Sequence, residues 1–271
     1  MRNYLQISSG PHMPYIWWCQ TGPFTSLPLH AAGLYNESDP GFKVSDFVIS
    51  SYTPTLNALL EVLHVTPQEF KGLLVVSQLC TPGQAKLPNA ARELTLIEEI
   101  GSGITVHSLP DDSATVERVL EDMETHSWVH FAFHAEQNTF KPIQSAFYLQ
   151  DGNLNLSRII TKSFPHADFA FLSACQTATG TENLLEEAVH LAAGMLAAGY
   201  RSVIATMWSI SDEDAPFVAT EVYRHLINDL ECDSSQAAYA LHHAAQHLCK
   251  KQESFGQSSF LSQVSFIHVG M

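Results

Sequence analysis

Short apolar runs alternating with amphipathic stretches of ten or so residues recur from about residue 44 to the end of this chain, and that alternation limits its fold more than any other feature. A continuous apolar run of four to eight residues suits a strand buried on both faces. Apolar residues three and four apart suit a helix laid over one of those faces. Residues 44–50, 73–77, 104–109, 128–133, 169–172, 202–207 and 264–269 read as strands. Between them, residues 54–64 carry Leu56, Leu59, Leu60 and Leu63 on one helical face, and Asn89 can cap a helix running to about Ile100. Asp112 or Ser113 opens a helix through Val116, Val119, Leu120 and Met123, and further helices cover residues 182–198, 215–230 and 236–248. The expected fold class is α/β, a three-layer sandwich with a mostly parallel central sheet. Residues 1–43 are a Gly/Pro/aromatic-rich segment of the same domain, with a strand around residues 15–18, and residues 44–271 form the core. The C-terminus reads as complete and the N-terminus starts abruptly, so the chain is expected to be a piece of something longer.

Charge and composition exclude several functions. Thirteen basic against 28 acidic residues leave a formal charge of −15, and no lysine or arginine run offsets it locally. Such a field repels a phosphate backbone, so nucleic acid is not an expected partner, whereas basic peptides or protein surfaces are matched to it. No apolar stretch reaches the ~20 residues of a membrane span, and the first residues lack a continuous apolar signal-peptide core. A cytoplasmic protein with no membrane partner is expected. Cys19, Cys80, Cys175, Cys232 and Cys249 are odd in number and widely spaced, which argues against a disulfide framework. The 14 histidines form no HExxH, and the adjacent pair His242 and His243 would point in different directions on a helix. Neither a GxGxxG nor a phosphate-binding loop is present, so no metal and no cofactor are expected.

Two segments carry reactive groups to strand ends, where an open α/β sheet gathers its chemistry. In WVHFAFHAEQN, His134 falls just after residues 128–133; in FAFLSACQTATG, Cys175 falls just after residues 169–172. If those strands are neighbours, imidazole and thiol face each other, and a nearby imidazole raises the thiolate fraction of a group otherwise protonated at neutral pH. The inert alternatives are real: cysteine is often simply buried, and histidine often satisfies a buried polar group. His130, on the same face but deeper in the strand, reads as packed and hydrogen-bonded. A third segment, WSISDEDAP, presents Asp212, Glu213 and Asp214 at the same edge. These acids suit the first turn of the next helix, with Asp212 as its cap, or the wall of a pocket for a basic side chain. The helix over residues 182–198 is core, and Gly199 terminates it.

Taken together, IWWCQTGPFTSLPLHAAGLY, VISSYTPTLNALL, SQLCTPGQAKLPNAARE, HFAFHAEQN, FAFLSACQTATG, EEAVHLAAGMLAAGYRSVIATMWSISDEDAP and FIHVG resemble, in order, the CHAT domain, a caspase- and separase-like cysteine peptidase family, and its fungal, tetratricopeptide-repeat-associated branch especially. The resemblance spans residues 16–270. It implies a caspase-like fold and a His134–Cys175 proteolytic dyad, with an oxyanion hole formed by backbone N–H groups of Ala135 and Cys175. It further implies a protein or peptide substrate whose basic P1 side chain meets Asp212, with Asp214 second, and a repeat or sensor domain that regulates activity. The chain departs from the family's ACHG pattern by reading AFHA. Phe133 is a conservative change in a buried strand, whereas Ala135 stands where glycine would permit a positive φ, a conformation that costs alanine roughly 1–2 kcal/mol. A cysteine endopeptidase is the leading expectation, and a catalytically inactive interaction or scaffold domain of the same fold is the alternative.

Overall fold

The fold is described by a computed structural model over residues 13–35, 41–64, 69–136, 141–173, 187–208, 213–228, 231–254 and 264–271. Strand β1 (Tyr15–Trp18) precedes β2 (Ile49–Tyr52), helix α1 (Leu56–His64), β3 (Leu73–Ser77), α2 (Pro88–Ile100) and β4 (Val106–Pro110). Helix α3 (Val116–Met123) leads to β5 (Trp128–Ala132), and then come three short strands, β6 (Ala135–Glu136), β7 (Ala146–Leu149) and β8 (Gly152–Asn155). Helix α4 (Leu156–Thr161), β9 (Phe169–Leu172), α5 (Glu187–Ala197), β10 (Ser202–Thr206) and α6 (Asp214–Leu226) follow. A small ribbon of β11 (Ile227–Asn228) and β12 (Glu231–Cys232) joins α6 to α7 (Ala237–Ser254), and β13 (Phe266–Gly270) comes last.

Eight strands form the central sheet in the order β1-β2-β13-β10-β9-β5-β3-β4. Strands β4, β3, β5, β9 and β10 are mutually parallel, as are β13, β2 and β1; the two blocks meet at the antiparallel pair β10–β13. The sheet is mostly parallel, as its apolar runs predict, but the run near the end of the chain reverses direction.

Alternation along each strand divides the core into two layers. Leu73, Val75, Trp128, Phe169, Phe171 and Ile204 face Ile97 of α2, Val218, Val222 and Tyr223 of α6, and Leu241 of α7. Leu74, Val76, Val129, Phe131, Ala170 and Leu172 face Val119 and Met123 of α3, Ile159 of α4 and Met195 of α5. Burial on both faces is why these strands are apolar throughout. Phe147 and Leu154 of the three-stranded sheet β6-β7-β8 join the second layer.

Several boundaries differ from the sequence reading, each for a local reason. Residues 44–46 form a turn of 3-10 helix, and the strand starts at Ile49, because the Asp46 carboxylate accepts the backbone N–H groups of Gly41, Phe42 and Lys43. Helix α2 begins at Pro88, whose missing N–H is no loss in a first turn, so Asn89 lies inside the helix and does not cap it. Residues 111–113 make their own turn, and Thr115 caps α3, its hydroxyl accepting from Arg118 N at 3.4 Å. The apolar stripe of α1 does not enter the core: Leu56, Leu60 and Leu63 are exposed. No helix among the described residues is long and apolar enough to cross a membrane.

The antiparallel seam is tied by one buried histidine. His268 of β13 bonds through Nε2 to the Ser202 hydroxyl of β10 and through Nδ1 to Ser51 Oγ of β2, both at 2.7 Å. Since the Ser51 hydroxyl donates to the Gly270 carbonyl at 3.0 Å, it accepts from Nδ1–H, and Nε2 accepts from Ser202. Burial lowers the His268 pKa to about 3. His30 and His242 are both lowered to about 4, chiefly by burial. As pH falls below the unfolded value of about 6.5, the unfolded chain takes up protons that the folded chain refuses, so stability declines towards acid. Urea unfolding between about pH 6.5 and 5 should therefore show a shallower loss in His268→Asn than in wild type, by up to ~1.4 kcal/mol per pH unit. Equal slopes would contradict a neutral, buried His268.

Candidate active site

Strand β5 carries its apolar alternation one residue past its end: Phe133 is fully buried, its ring against Phe131 and Phe147. His134 follows, only 3% exposed. Its ring Nε2 lies 2.8 Å from the carbonyl oxygen of Ala85, which can only accept, so Nε2 carries the proton of the neutral ring. Nδ1 is therefore the nitrogen with the free lone pair. It is buried and has no hydrogen-bond partner among the described residues. The His134 carbonyl accepts from Tyr148 N at 2.9 Å, and Ala135 pairs with Phe147 across β6 and β7. The imidazole is thus held from its own strand, from the small sheet and from the Ala85 loop.

That loop is braced in its turn. Leu87 N donates to Leu79 O and Gln84 N to Thr81 O, closing residues 79–87 on themselves. Asp111, just beyond β4, accepts Leu79 N at 2.8 Å and Cys80 N at 3.3 Å through Oδ1, while Gln78 Nε2 donates to its carbonyl at 2.9 Å. Asp111 is the one non-glycine residue with positive φ among the described residues, at 37°. Aspartate tolerates this region better than most residues, and these bonds offset what strain remains.

Neighbouring β5 and β9 are in register, with Phe131 opposite Leu172, so Ser173 emerges beside the residues leading to His134. Cys175, two residues further on, lies outside the described residues, as does Asp212. Of the other acids in WSISDEDAP, Glu213 is exposed and Asp214 is half-buried at the start of α6. The Asp214 carboxylate accepts from Gln252 Nε2 of α7 at 3.2 and 3.3 Å, which ties the two helices together. No group of three or more His, Cys, Asp or Glu able to hold a metal occurs among the described residues.

Below the strand ends lies a group that sequence reasoning only half anticipated. His130 is fully buried, stacked on Phe171 at 5.0 Å, with Nδ1 3.2 Å from the Tyr223 hydroxyl, so it is packed and hydrogen-bonded as expected. Its Nε2 lies 3.2 Å from Glu93 Oε1, a close polar contact whose angle falls short of a hydrogen bond, and neither atom has a hydrogen-bond partner among the described residues. Glu93 escaped notice, although a signal existed: it shares the buried face of α2 with Ala90 and Ile97. A carboxylate on the core side of an amphipathic helix is unusual enough to mark a specific task.

The CHAT domain family profile matches residues 3–270. This chain belongs to the CHAT domain family. No curated protein sequence matches it. Among solved structures, this CHAT domain is similar to the Porphyromonas gingivalis RgpB complex of pro- and mature domains, with a TM-score of 0.61 and 11% identity over 97% of this chain. It is likewise similar to the Arg-specific cysteine proteinase gingipain R (TM-score 0.60, 11% identity, 97% of this chain and 64% of that one). Separase in the Saccharomyces cerevisiae separase–securin complex matches with a TM-score of 0.53 and 13% identity over 84% of this chain. The CHAT domain spans 65% of the first gingipain chain and 14% of the separase chain. At these identities the likeness establishes the fold, a caspase-like α/β sandwich shared with cysteine peptidases.

The concern raised by Ala135 is answered by its backbone. Ala135 lies in β6, is 1% exposed and has no positive φ. Glycine offers nothing that alanine lacks in such a conformation. Ala135→Gly should lower stability in urea unfolding by roughly 0.5–1 kcal/mol, the entropic penalty of glycine in a strand. A more stable glycine variant would mean that residue 135 needs a positive φ.

Proposed function

We propose that this CHAT domain is a cysteine endopeptidase acting through His134 and Cys175. The observation that carries the reading is the state of His134: Nε2–H is committed to the Ala85 carbonyl, leaving Nδ1 buried and without a hydrogen-bond partner among the described residues, at the end of the strand beside β9. Nδ1 takes the proton of the Cys175 thiol, which generates the thiolate and leaves Nδ1–H for the later transfer. The Cys175 thiolate attacks the scissile carbonyl carbon, forming a C–S bond and sending the π electron pair to oxygen. Backbone N–H groups of Ala135 and Cys175 receive that oxyanion. Collapse breaks the C–N bond as His134 Nδ1–H gives its proton to the leaving amine. Water, losing a proton to Nδ1, then attacks the thioester, and its tetrahedral adduct expels the thiolate.

Asp212 is the residue proposed to receive a basic P1 side chain, with Asp214 as a second contributor tied in place by Gln252. The formal charge of −15 favours a cationic substrate, and one structural neighbour is an Arg-specific proteinase. Control by an attached repeat or sensor domain, as in the fungal tetratricopeptide-repeat type, is part of the same proposal. One neighbour is a complex with a pro-domain and another a complex with securin, which fits a site governed by a second polypeptide. Ala135 takes no positive φ, which supports the peptidase reading over the alternative of an inactive scaffold.

Cys175→Ala should abolish peptide cleavage and acyloxymethyl-ketone labelling, and His134→Ala should lower cleavage by at least ~100-fold. Cleavage that survives Cys175→Ala at the wild-type rate would rule this mechanism out. In a positional-scanning peptide library, arginine or lysine at P1 should exceed neutral residues by about ten- to a hundredfold, from a charged hydrogen bond of roughly 1.5–3 kcal/mol. That preference should collapse in Asp212→Ala; a P1 aspartate preference, or a basic preference unchanged in the variant, would remove Asp212 from the role.

A further inference from the structure

We propose that Glu93 is a positioning residue, a single buried carboxylate that locks α2, β5 and the end of β9 together and so sets where His134 and Cys175 stand. The proposal rests on the peptidase reading above and deepens it. Glu93 is 2% exposed. Its Oε2 accepts from the Ser173 hydroxyl at 3.1 Å, and its Oε1 lies 3.2 Å from His130 Nε2. Ser173 follows β9 directly and stands two residues before Cys175. His130 lies within β5, four residues before His134. The third tie runs through the helix itself: Ala85, whose carbonyl holds His134 Nε2, stands three residues before α2 begins at Pro88.

Stability alone does not account for a carboxylate here. The neighbours of Glu93 on the buried face are Ala90 and Ile97, so an apolar side chain would extend a continuous core stripe without burying a polar group. What an apolar residue cannot supply is direction. One oxygen of the planar group holds the end of β9 by a hydrogen bond, while the other stands in close polar contact with the flank of β5, both referred to the same helix turn. His130 passes the restraint on, its other nitrogen reaching the Tyr223 hydroxyl of α6 at 3.2 Å. A reacting pair drawn from the segments that follow two strands tolerates little relative movement, because sub-ångström misplacement already degrades catalysis.

Three variants test this: Ser173→Ala, which removes one hydroxyl; Glu93→Leu, which removes direction but keeps an apolar core; and Glu93→Gln, which keeps shape and one acceptor. Each is assayed for kcat and KM on a Cys175-dependent peptide substrate and for urea stability. Iodoacetamide alkylation of Cys175 is measured in parallel by peptide mass mapping, since Cys19 and Cys80 are exposed and will react too. Ser173→Ala should lower kcat about tenfold or more, with KM within about twofold and stability near wild type. Glu93→Leu should lower kcat further without a matching loss of stability, and Glu93→Gln should recover part of it. Wild-type kcat in both Ser173→Ala and Glu93→Leu, or losses that merely track unfolding, would overturn the positioning role while leaving the peptidase reading intact. Should wild type show no Cys175-dependent turnover, the peptidase reading fails on its own and alkylation decides the rest. Slower labelling of Cys175 in the variants supports the lock, and equal labelling overturns it.

Discussion

Parallel strands buried on both faces impose a strict condition: after each one the chain must cross a face of the sheet before starting the next. Strands β3, β5, β9 and β10 all obey it, with helices filling both layers. Every segment that leaves the C-terminal end of such a strand therefore emerges on the same edge. The Gln78 to Leu87 loop, the His134 turn, Ser173 and the Met207–Trp208 exit share that rim because of strand direction, whatever their side chains. Chemistry is then a matter of which residues stand at the exits and how firmly they are held.

Firmness comes from polar groups placed under an apolar roof. The Ala85 loop has almost no core contacts of its own to define it. It gains its shape from backbone bonds within residues 79–87 and from the Asp111 carboxylate. His134 in turn is oriented by a carbonyl from that loop. Such a chain of support places a ring nitrogen more accurately than packing could, since hydrogen bonds discriminate angle as well as distance.

The fold was legible because its signal is repeated: each buried strand is a continuous apolar run, and residues 169–172 needed no correction at either end. His134 was legible for a related reason, as a titratable group placed directly after such a run. What escaped was set by single side chains reaching across the sequence. Asp46 moved the start of β2 by gathering three N–H groups, and Thr115 took the cap that Asp112 or Ser113 was expected to supply. The connection between β5 and β9 hides the sheet β6-β7-β8, because two- to four-residue strands leave no periodicity to read. Glu93 was hidden differently, in a helix whose other buried positions look ordinary. The reversal of β13 has no marker in composition, since an apolar run reads the same in either direction.

That reversal has a consequence for how the molecule is made. Among the described residues, strands β1 and β2 reach the rest of the sheet only through β13, and the buried bond from Ser51 to His268 spans 217 residues of chain. A ribosome adding roughly 5–20 residues per second takes on the order of ten to forty seconds to cover that distance. Throughout that interval the aromatic strand β1 and its partner have no third strand to pair with. They are a nascent-chain segment that a chaperone has time to hold. The parallel block, with the His134 turn and the Ala85 loop, can consolidate first. The bonds from His268 to Ser51 and Ser202 must wait until residue 268 itself has been made.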